Sequence, residues 1–484
     1  MAFTNGHRQL GSAELGGKVS SRLSCVCGLI GAAVLGIALL FLATTGTADQ
    51  AVASSASAAT GAVHVGVASC AGSTCHGRSE PTGKVVRQDE ILHWQNASSK
   101  TGAHSRTYAA LASARGQAIA AKMGIGPATS AGECLGCHAD PAFNGKGPRW
   151  QVSDGVGCEG CHGGAGGSNG WLTTHYAVGQ SHAANVARGL YPLDQPRARA
   201  EKCLDCHLGS DKPGQFVSHR IMAAGHPRVA FEVDLFSALQ QHHDEDADYV
   251  QRKRRTNNVQ LWAVGQATAV GRATNLFANP RLGTDGIFPE IYFFDCQSCH
   301  RQIIDGPNGR ANWVANPGRP IPSGMPPFND ENMIMLSAAA KVAAPGMAAK
   351  FDADSRAFHA ALAKDRPAAV AAARRLSATA GSLADTLSRS AFGREQTFAI
   401  IDTIAGNAIS PRFTDYEGSA QAVMAVDTLL NALVRQGHVS EDRARGARGA
   451  IDRAYKAVGN SNAYRPAEFR AALGQAAASI RALK

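Results

Sequence analysis

Ten of the twelve cysteines stand in five pairs, and histidine directly follows the second cysteine of every pair. Four pairs read C-x-x-C-H: Cys134/Cys137-His138, Cys158/Cys161-His162, Cys203/Cys206-His207 and Cys296/Cys299-His300. The first is wider, C-x-x-x-x-C-H: Cys70/Cys75-His76. Two thiols one short turn apart can reach the two vinyl groups on one edge of a porphyrin and form thioethers, and the adjoining histidine then swings beneath the ring to bind iron. Zinc ribbons use cysteine pairs, but nothing in a zinc site requires histidine after the second cysteine each time. A thioredoxin-like motif occurs once, beside a βαβ pattern, and disulfides leave the histidines unexplained. The residues therefore predict five covalently bound haem c groups, with His76, His138, His162, His207 and His300 as proximal iron ligands.

Iron in such a site has a second axial position. Between residues 54 and 310 nine further histidines remain (His64, His93, His104, His175, His182, His219, His226, His242 and His243), against two methionines, Met123 and Met222. Most irons are thus expected to be bis-histidine or five-coordinate, which favours lower potentials than His/Met ligation. His104 opens a helical pattern that puts Tyr108, Leu111 and Ala112 on its own face. His219 and His226, seven residues apart in SHRIMAAGHPR, would point the same way about 10.5 Å apart on one helix and serve two neighbouring haems. His175 follows the third motif in WLTTHY. These four are the distal candidates; His93, His182 and His242 are weaker ones. The run from His242 to Asp248 reads as a solvated acidic turn rather than a cation site.

With these motifs in place, the chain resembles the multihaem cytochromes c related to cytochrome c-554, the tetrahaem electron carrier of ammonia oxidation. Pentahaem nitrite reductases and octahaem hydroxylamine oxidoreductases belong to the same superfamily. The resemblance spans roughly residues 65 to 310 and rests on the haem motifs with GAHSRTYAAL, DGVGCEGCHGG with WLTTH behind it, and SHRIMAAGHPR. It implies distal ligation by the histidines of these segments: His104, His175, His219 and His226. The chain departs from the nitrite reductases in having no C-x-x-C-K motif, from the hydroxylamine oxidoreductases in having fewer attachment sites, and from both in its widened first motif. A partner for His76 is therefore the open question.

The motif starts, at 70, 134, 158, 203 and 296, follow no fixed period, so this is no solenoid. The second and third, closest in sequence, are expected to hold haems in contact. Aromatic residues are only 6% of the chain, which suits an interior filled partly by macrocycles. The net charge of +10 comes from scattered basic residues, and no basic stripe with interleaved aromatics marks a nucleic-acid partner. Haem propionates would offset much of it.

Leu23–Leu42 is uncharged and preceded by Arg8, Lys18 and Arg22. It reads either as a membrane anchor or as a secretory signal cleaved after Ala48 or Ala53, and both export the rest of the chain to the periplasm. The expected organisation is a signal or anchor (1–53), a pentahaem cytochrome c domain (54–306), a Pro-rich linker (307–332) and a helical bundle (333–484) of five or six helices, one starting at the capping-box pattern Thr414-x-x-Glu417. The fold class is mainly α with much irregular structure wrapped around five haems. The function this predicts is single-electron transfer between redox partners, namely other redox proteins or membrane quinol-linked complexes. The alternative is an oxidoreductase acting on a small nitrogen or sulfur species at one open-coordination haem, and a third reading is a haem-bearing sensor or scaffold that works through its bundle.

Overall fold

Closely spaced glycines and cysteine motifs cut the first half of the chain into short helices, whereas the alanine-rich second half sustains long ones. The computed structural model describes residues 62–484 apart from 82–86, 169, 244, 246, 254, 285–286, 301–317, 322–324 and 407–414. Leu23–Leu42 with Cys25 and Cys27, the cleavage positions Ala48 and Ala53, Thr414, and Pro307, Pro317 and Pro322 lie outside the described residues. Among the described residues no helix is long and apolar enough to cross a membrane.

The fold is mostly helical with much irregular structure. The helices of the first half are α1 (Glu90–Trp94), α2 (Thr107–Ala112), α3 (Ala114–Met123), α4 (Gly132–His138), α5 (Cys158–His162), α6 (Leu172–His175), α7 (His182–Ala187), α8 (Pro196–His207), α9 (His219–Ala223), α10 (Val233–Leu239) and α11 (Ala247–Arg252). Then come α12 (Asn258–Ala278), α13 (Glu331–Ala343), α14 (Pro345–Leu362), α15 (Arg366–Arg389), α16 (Arg394–Ala405), α17 (Tyr416–Arg435), α18 (Glu441–Ala457) and α19 (Pro466–Arg481). Seven described helices thus follow residue 330, where five or six were expected. The start of α17 also differs: Asp415 is its N-cap, accepting the Gly418 N–H at 2.8 Å, which leaves Glu417 inside the first turn.

The core is continuous across the Pro-rich stretch. Helix α12 lies against α15, and buried Ala369, Ala372, Ala373, Leu376, Ala380, Leu383, Ala384 and Leu387 recur at helical spacing along α15. Buried Gln260 reaches the carbonyls of Leu387, Ser388 and Ser390 with its side-chain amide, satisfying the end of α15. Phe277 on α12 packs edge-on against Phe293, Phe328 and Phe358, with ring centroids 5.6, 5.9 and 5.2 Å away. This cluster joins α12, the segment before the fifth motif and α14. We predict that Phe277→Ala lowers unfolding free energy by about 3–5 kcal/mol in a denaturant titration; a loss near zero would show that the cluster does not hold these elements together.

Two ties anchor the first half onto these helices. Buried Glu232 caps α10 and accepts the Thr428 hydroxyl of α17 at 3.0 Å, and Gln421 donates to the Phe231 carbonyl at 2.9 Å. Closer to the motifs, Gly136 and Gly214 pass so near that a Cβ on Gly136 would sit 2.5 Å from the Gly214 backbone, and Gly214 has φ of +71°. Only glycine tolerates both conditions, and the contact brings the second motif against the loop that follows the fourth.

Candidate haem-binding site

Three motifs end helices: His138, His162 and His207 are the last residues of α4, α5 and α8. Residues three apart on a helix lie on one face, so each cysteine pair presents both thiols to the same side. The fifth motif begins as a short 3₁₀ turn over Cys296–Ser298. The first is a folded turn in which the His76 N–H reaches the Cys70 carbonyl at 3.1 Å, accommodating the two added residues. The ten described cysteines form no disulfide.

Each histidine that closes a motif faces another histidine. His76 faces His175 with centroids 5.9 Å apart, His207 faces His104 at 6.1 Å, and His138 faces His226 at 6.2 Å. His300 faces His219 at 6.3 Å, and His162 faces both His242 at 6.3 Å and His243 at 6.1 Å. A metal–imidazole bond of about 2 Å on each side, plus about 1.2 Å from each nitrogen to its ring centre, sets such rings about 6.4 Å apart. The six spacings, from 5.9 to 6.3 Å, fit one metal ion between two imidazoles at each motif. A cavity of about 1730 Å³ runs between the second, third and fourth motifs, lined by Cys134, Cys137, Cys161, Cys203 and Cys206. It exceeds the usual range for a small-ligand pocket.

The hydrogen bonds leave the right nitrogens free. Nδ1 of His138 meets the Thr107 carbonyl at 2.9 Å, Nδ1 of His226 the Pro227 carbonyl at 2.7 Å, and Nδ1 of His242 the Gln240 carbonyl at 3.3 Å. A carbonyl can only accept, so Nδ1 carries the proton and Nε2 keeps its lone pair for a metal. Nδ1 of His76 meets a carboxylate instead, Glu90 Oε2 at 2.9 Å. Burial pushes His207 and His242 down to about 4, and lowers His104, His162, His175 and His226 as well. These six are therefore neutral at pH 7, the form that ligates. His76 moves up, because its hydrogen bond to Glu90 outweighs its burial.

Neighbouring groups fix the rings. Trp171 sets its edge against His175 at 5.3 Å while donating to the Gly163 carbonyl at 3.0 Å. Phe231 stacks on His207 at 4.2 Å. The Thr107 hydroxyl lies 2.8 Å from the His104 carbonyl and 2.9 Å from that of His138. Glu290 accepts the His219 N–H at 2.7 Å and the Tyr292 N–H at 2.6 Å, holding the segment opposite the fifth motif.

Residues 69–163 match the family described as cytochrome c554 and c-prime. The chain carries a cytochrome c-554-like domain. No curated protein and no solved structure matches it. The match begins one residue before Cys70 and ends one after His162, so the widened first motif lies within the cytochrome c-554-like stretch. Over those residues the match supports a c-type cytochrome domain with covalently bound haem, in electron transfer or redox work.

Against the sequence expectations, His104, His175, His219 and His226 each stand opposite a motif histidine. His219 and His226 do so differently from the helical expectation: α9 ends at Ala223, and Gly225, at φ +120°, turns the chain so that the two rings meet His300 and His138. His242 and His243 stand opposite His162, although the acidic run beside them reads as a solvated turn. The arithmetic of five motif histidines and four distal candidates was the available signal for a fifth partner. His93 pairs with Asp89 at 3.4 Å, His182 with Asp194 at 3.1 Å and His64 with Asp140 at 2.8 Å. Glu159, beside His64 and Asp140, accepts the N–H groups of Val65, Gly66 and Ala165 and so fastens the 62–66 segment to the third motif.

Thiol contacts do not run in sequence order. Cys70 lies beside Cys158, bringing motifs one and three together, and Cys137 lies beside Cys206, bringing two and four together. Cys161 of the third interacts with Cys203 of the fourth. The expected adjacency of motifs two and three does not appear among these contacts. The fifth motif adjoins the segment that serves the second, since Arg228, two residues after His226, donates to Cys296 at 3.1 Å.

Proposed function

We propose that this cytochrome carries five haem c groups at the five Cys-His motifs, each iron held between two histidines, and that it passes single electrons between redox partners. The five facing histidine pairs carry this reading. With an imidazole opposite every motif histidine, the chain leaves no position for a substrate on iron, which disfavours the oxidoreductase alternative. Haem would supply reversible one-electron chemistry when bound; the chain's own residues would anchor it and orient the histidine rings. Thr107, Trp171 and Phe231 orient rings, Glu290 holds the backbone of His219, and the neutral histidines need no proton change to ligate. Closed coordination also keeps structural rearrangement on electron transfer small.

The motif contacts support a spatial order of one, three, four, two, five. Among the described cysteines only Cys75 and Cys299 are exposed, one at each end of that order. Partners, either other redox proteins or membrane quinol-linked complexes, would then meet the protein at the first and fifth motifs. The location proposed is the periplasm, on the strength of the apolar run Leu23–Leu42.

The test is spectroscopic. Protein matured in a host competent for cytochrome c assembly should give five haems per chain by alkaline pyridine spectrum and intact mass. All should be low-spin when ferric, with no carbon monoxide binding when reduced. One high-spin haem that takes carbon monoxide stoichiometrically would instead establish an open site. Ring orientation supplies a second check: the His76–His175 planes are 14° apart, whereas His104–His207 and His138–His226 are at 73° and 88°. Near-parallel axial rings give a rhombic low-spin EPR signal and near-perpendicular rings a strongly anisotropic one, so both types are expected together. A spectrum with a single type would contradict this ring geometry.

A further inference from the structure

Glu90 sits in the first turn of α1 with its side chain only 9% exposed, and both of its oxygens face histidines of the candidate site. Oε2 lies 2.9 Å from Nδ1 of His76 in the first motif, and Oε1 lies 3.5 Å from Nδ1 of His243, which faces His162 of the third. The two motifs are themselves adjacent through Cys70 and Cys158. Elsewhere in the site, the Nδ1 partners of His138, His226 and His242 are backbone carbonyls, which are neutral.

This difference in partner has a direct electrostatic consequence. A carboxylate accepting the Nδ1 proton makes the imidazole a stronger donor to its metal than a carbonyl does. A buried negative charge one ring away from the metal also favours the more positive, oxidised state, because little water screens it. Both effects lower the reduction potential, and both act most strongly at His76, the ring with the shorter contact.

We propose that Glu90 is a positioning residue that makes the first haem site the lowest in potential of the five, so that electrons run from the first motif toward the fifth. This rests on the five-haem reading above. The same carboxylate meets Nδ1 of His243, while Nδ1 of His242 meets the Gln240 carbonyl, so both rings that face His162 keep Nε2 for a metal.

The experiment is a spectroelectrochemical titration of the five-haem protein, wild type beside Glu90→Gln and Glu90→Asp, with haem content and EPR recorded on the same samples. Glu90→Gln keeps the shape but removes the charge. It should raise the lowest of the five one-electron steps by at least a tenfold change in its equilibrium constant, about 59 mV for one electron. In the wild type the rhombic EPR signal of the near-parallel His76–His175 pair should be the last to disappear on reduction, and in Glu90→Gln that same signal should disappear at a correspondingly higher potential. Glu90→Asp keeps the charge and should move the same step by less. An unmoved lowest step in Glu90→Gln, an equal shift of all five, or a shift in Glu90→Asp as large as in Glu90→Gln overturns the proposal. If Glu90→Gln does not mature, Glu90→Asp decides alone: a small upward shift confined to the lowest step supports the proposal and no shift defeats it. Fewer than five haems or a high-spin site in the wild type would instead count against the underlying reading.

Discussion

His104→Gly is expected to turn one low-spin haem of five into a high-spin haem that binds one carbon monoxide per chain. His104 is the one imidazole facing His207 among the described residues, 6.1 Å away at 73°. Burial keeps it neutral, and its place at the head of α2 is fixed by the Thr107 hydroxyl 2.8 Å from its carbonyl. Glycine removes the ring and leaves a space of the same shape, so added imidazole should restore the low-spin spectrum. Wild type should bind no carbon monoxide, so the expected change is from zero to one equivalent. The control is His93→Gly. His93 is half exposed, pairs with Asp89 and, among the described residues, faces no motif histidine, so this variant should leave all five haems low-spin. A His104→Gly protein that stays wholly low-spin, or that binds no carbon monoxide, would remove His104 from the ligand set.

The candidate attachment motifs stand out in the sequence because their chemistry is local: a thiol pair and its histidine lie within five to seven residues. Distal partners are not local. His175 meets His76 across about a hundred residues of chain, and His104 meets His207 across a similar span. Their segments could be named, but no spacing rule says which ring meets which motif. His242 and His243 were hidden for a different reason. Asp244 and Glu245 mark a wet turn in any local reading, and only the fold sets that turn against His162. The same limit applies to order in space, because the Gly136–Gly214 contact that joins motifs two and four depends on two glycines far apart in sequence. Helix α12 shows the converse. Its 21 residues have buried side chains on nearly every face, so no amphipathic stripe announces it, and its packing on α15 ties the haem-bearing half to the helical half.

That junction contains a second large effect. Arg319 is enclosed at the start of the helical half, with Nη1 2.7 Å from Asp415 and Nε 3.6 Å from Asp330, all three side chains at most 5% exposed. Asp295, next to the thiol of Cys296, and Glu417 interact with the same group of charges. Arg319→Met should preserve volume and remove the cation, leaving buried carboxylates without their counter-charge. Breaking a buried pair in this way costs about 3–5 kcal/mol. Burial already raises Asp415 against the pull of Arg319, and burial with its hydrogen bond to Glu417 raises Asp295. Removing the guanidinium should push both further up. A carboxyl whose folded pKa lies above its unfolded value weakens the fold increasingly as pH rises above the ordinary value of 3.8, with the full penalty present above the folded pKa and none below 3.8. The deficit of Arg319→Met should therefore be largest at neutral pH and shrink toward pH 4, in denaturant titrations of the mature protein against wild type at each pH. Arg319→Met/Asp415→Asn should recover part of the loss at neutral pH, since the nearest orphaned charge is gone. A deficit that is constant with pH, or a double variant no more stable than the single one, would mean that packing rather than charge makes Arg319 important.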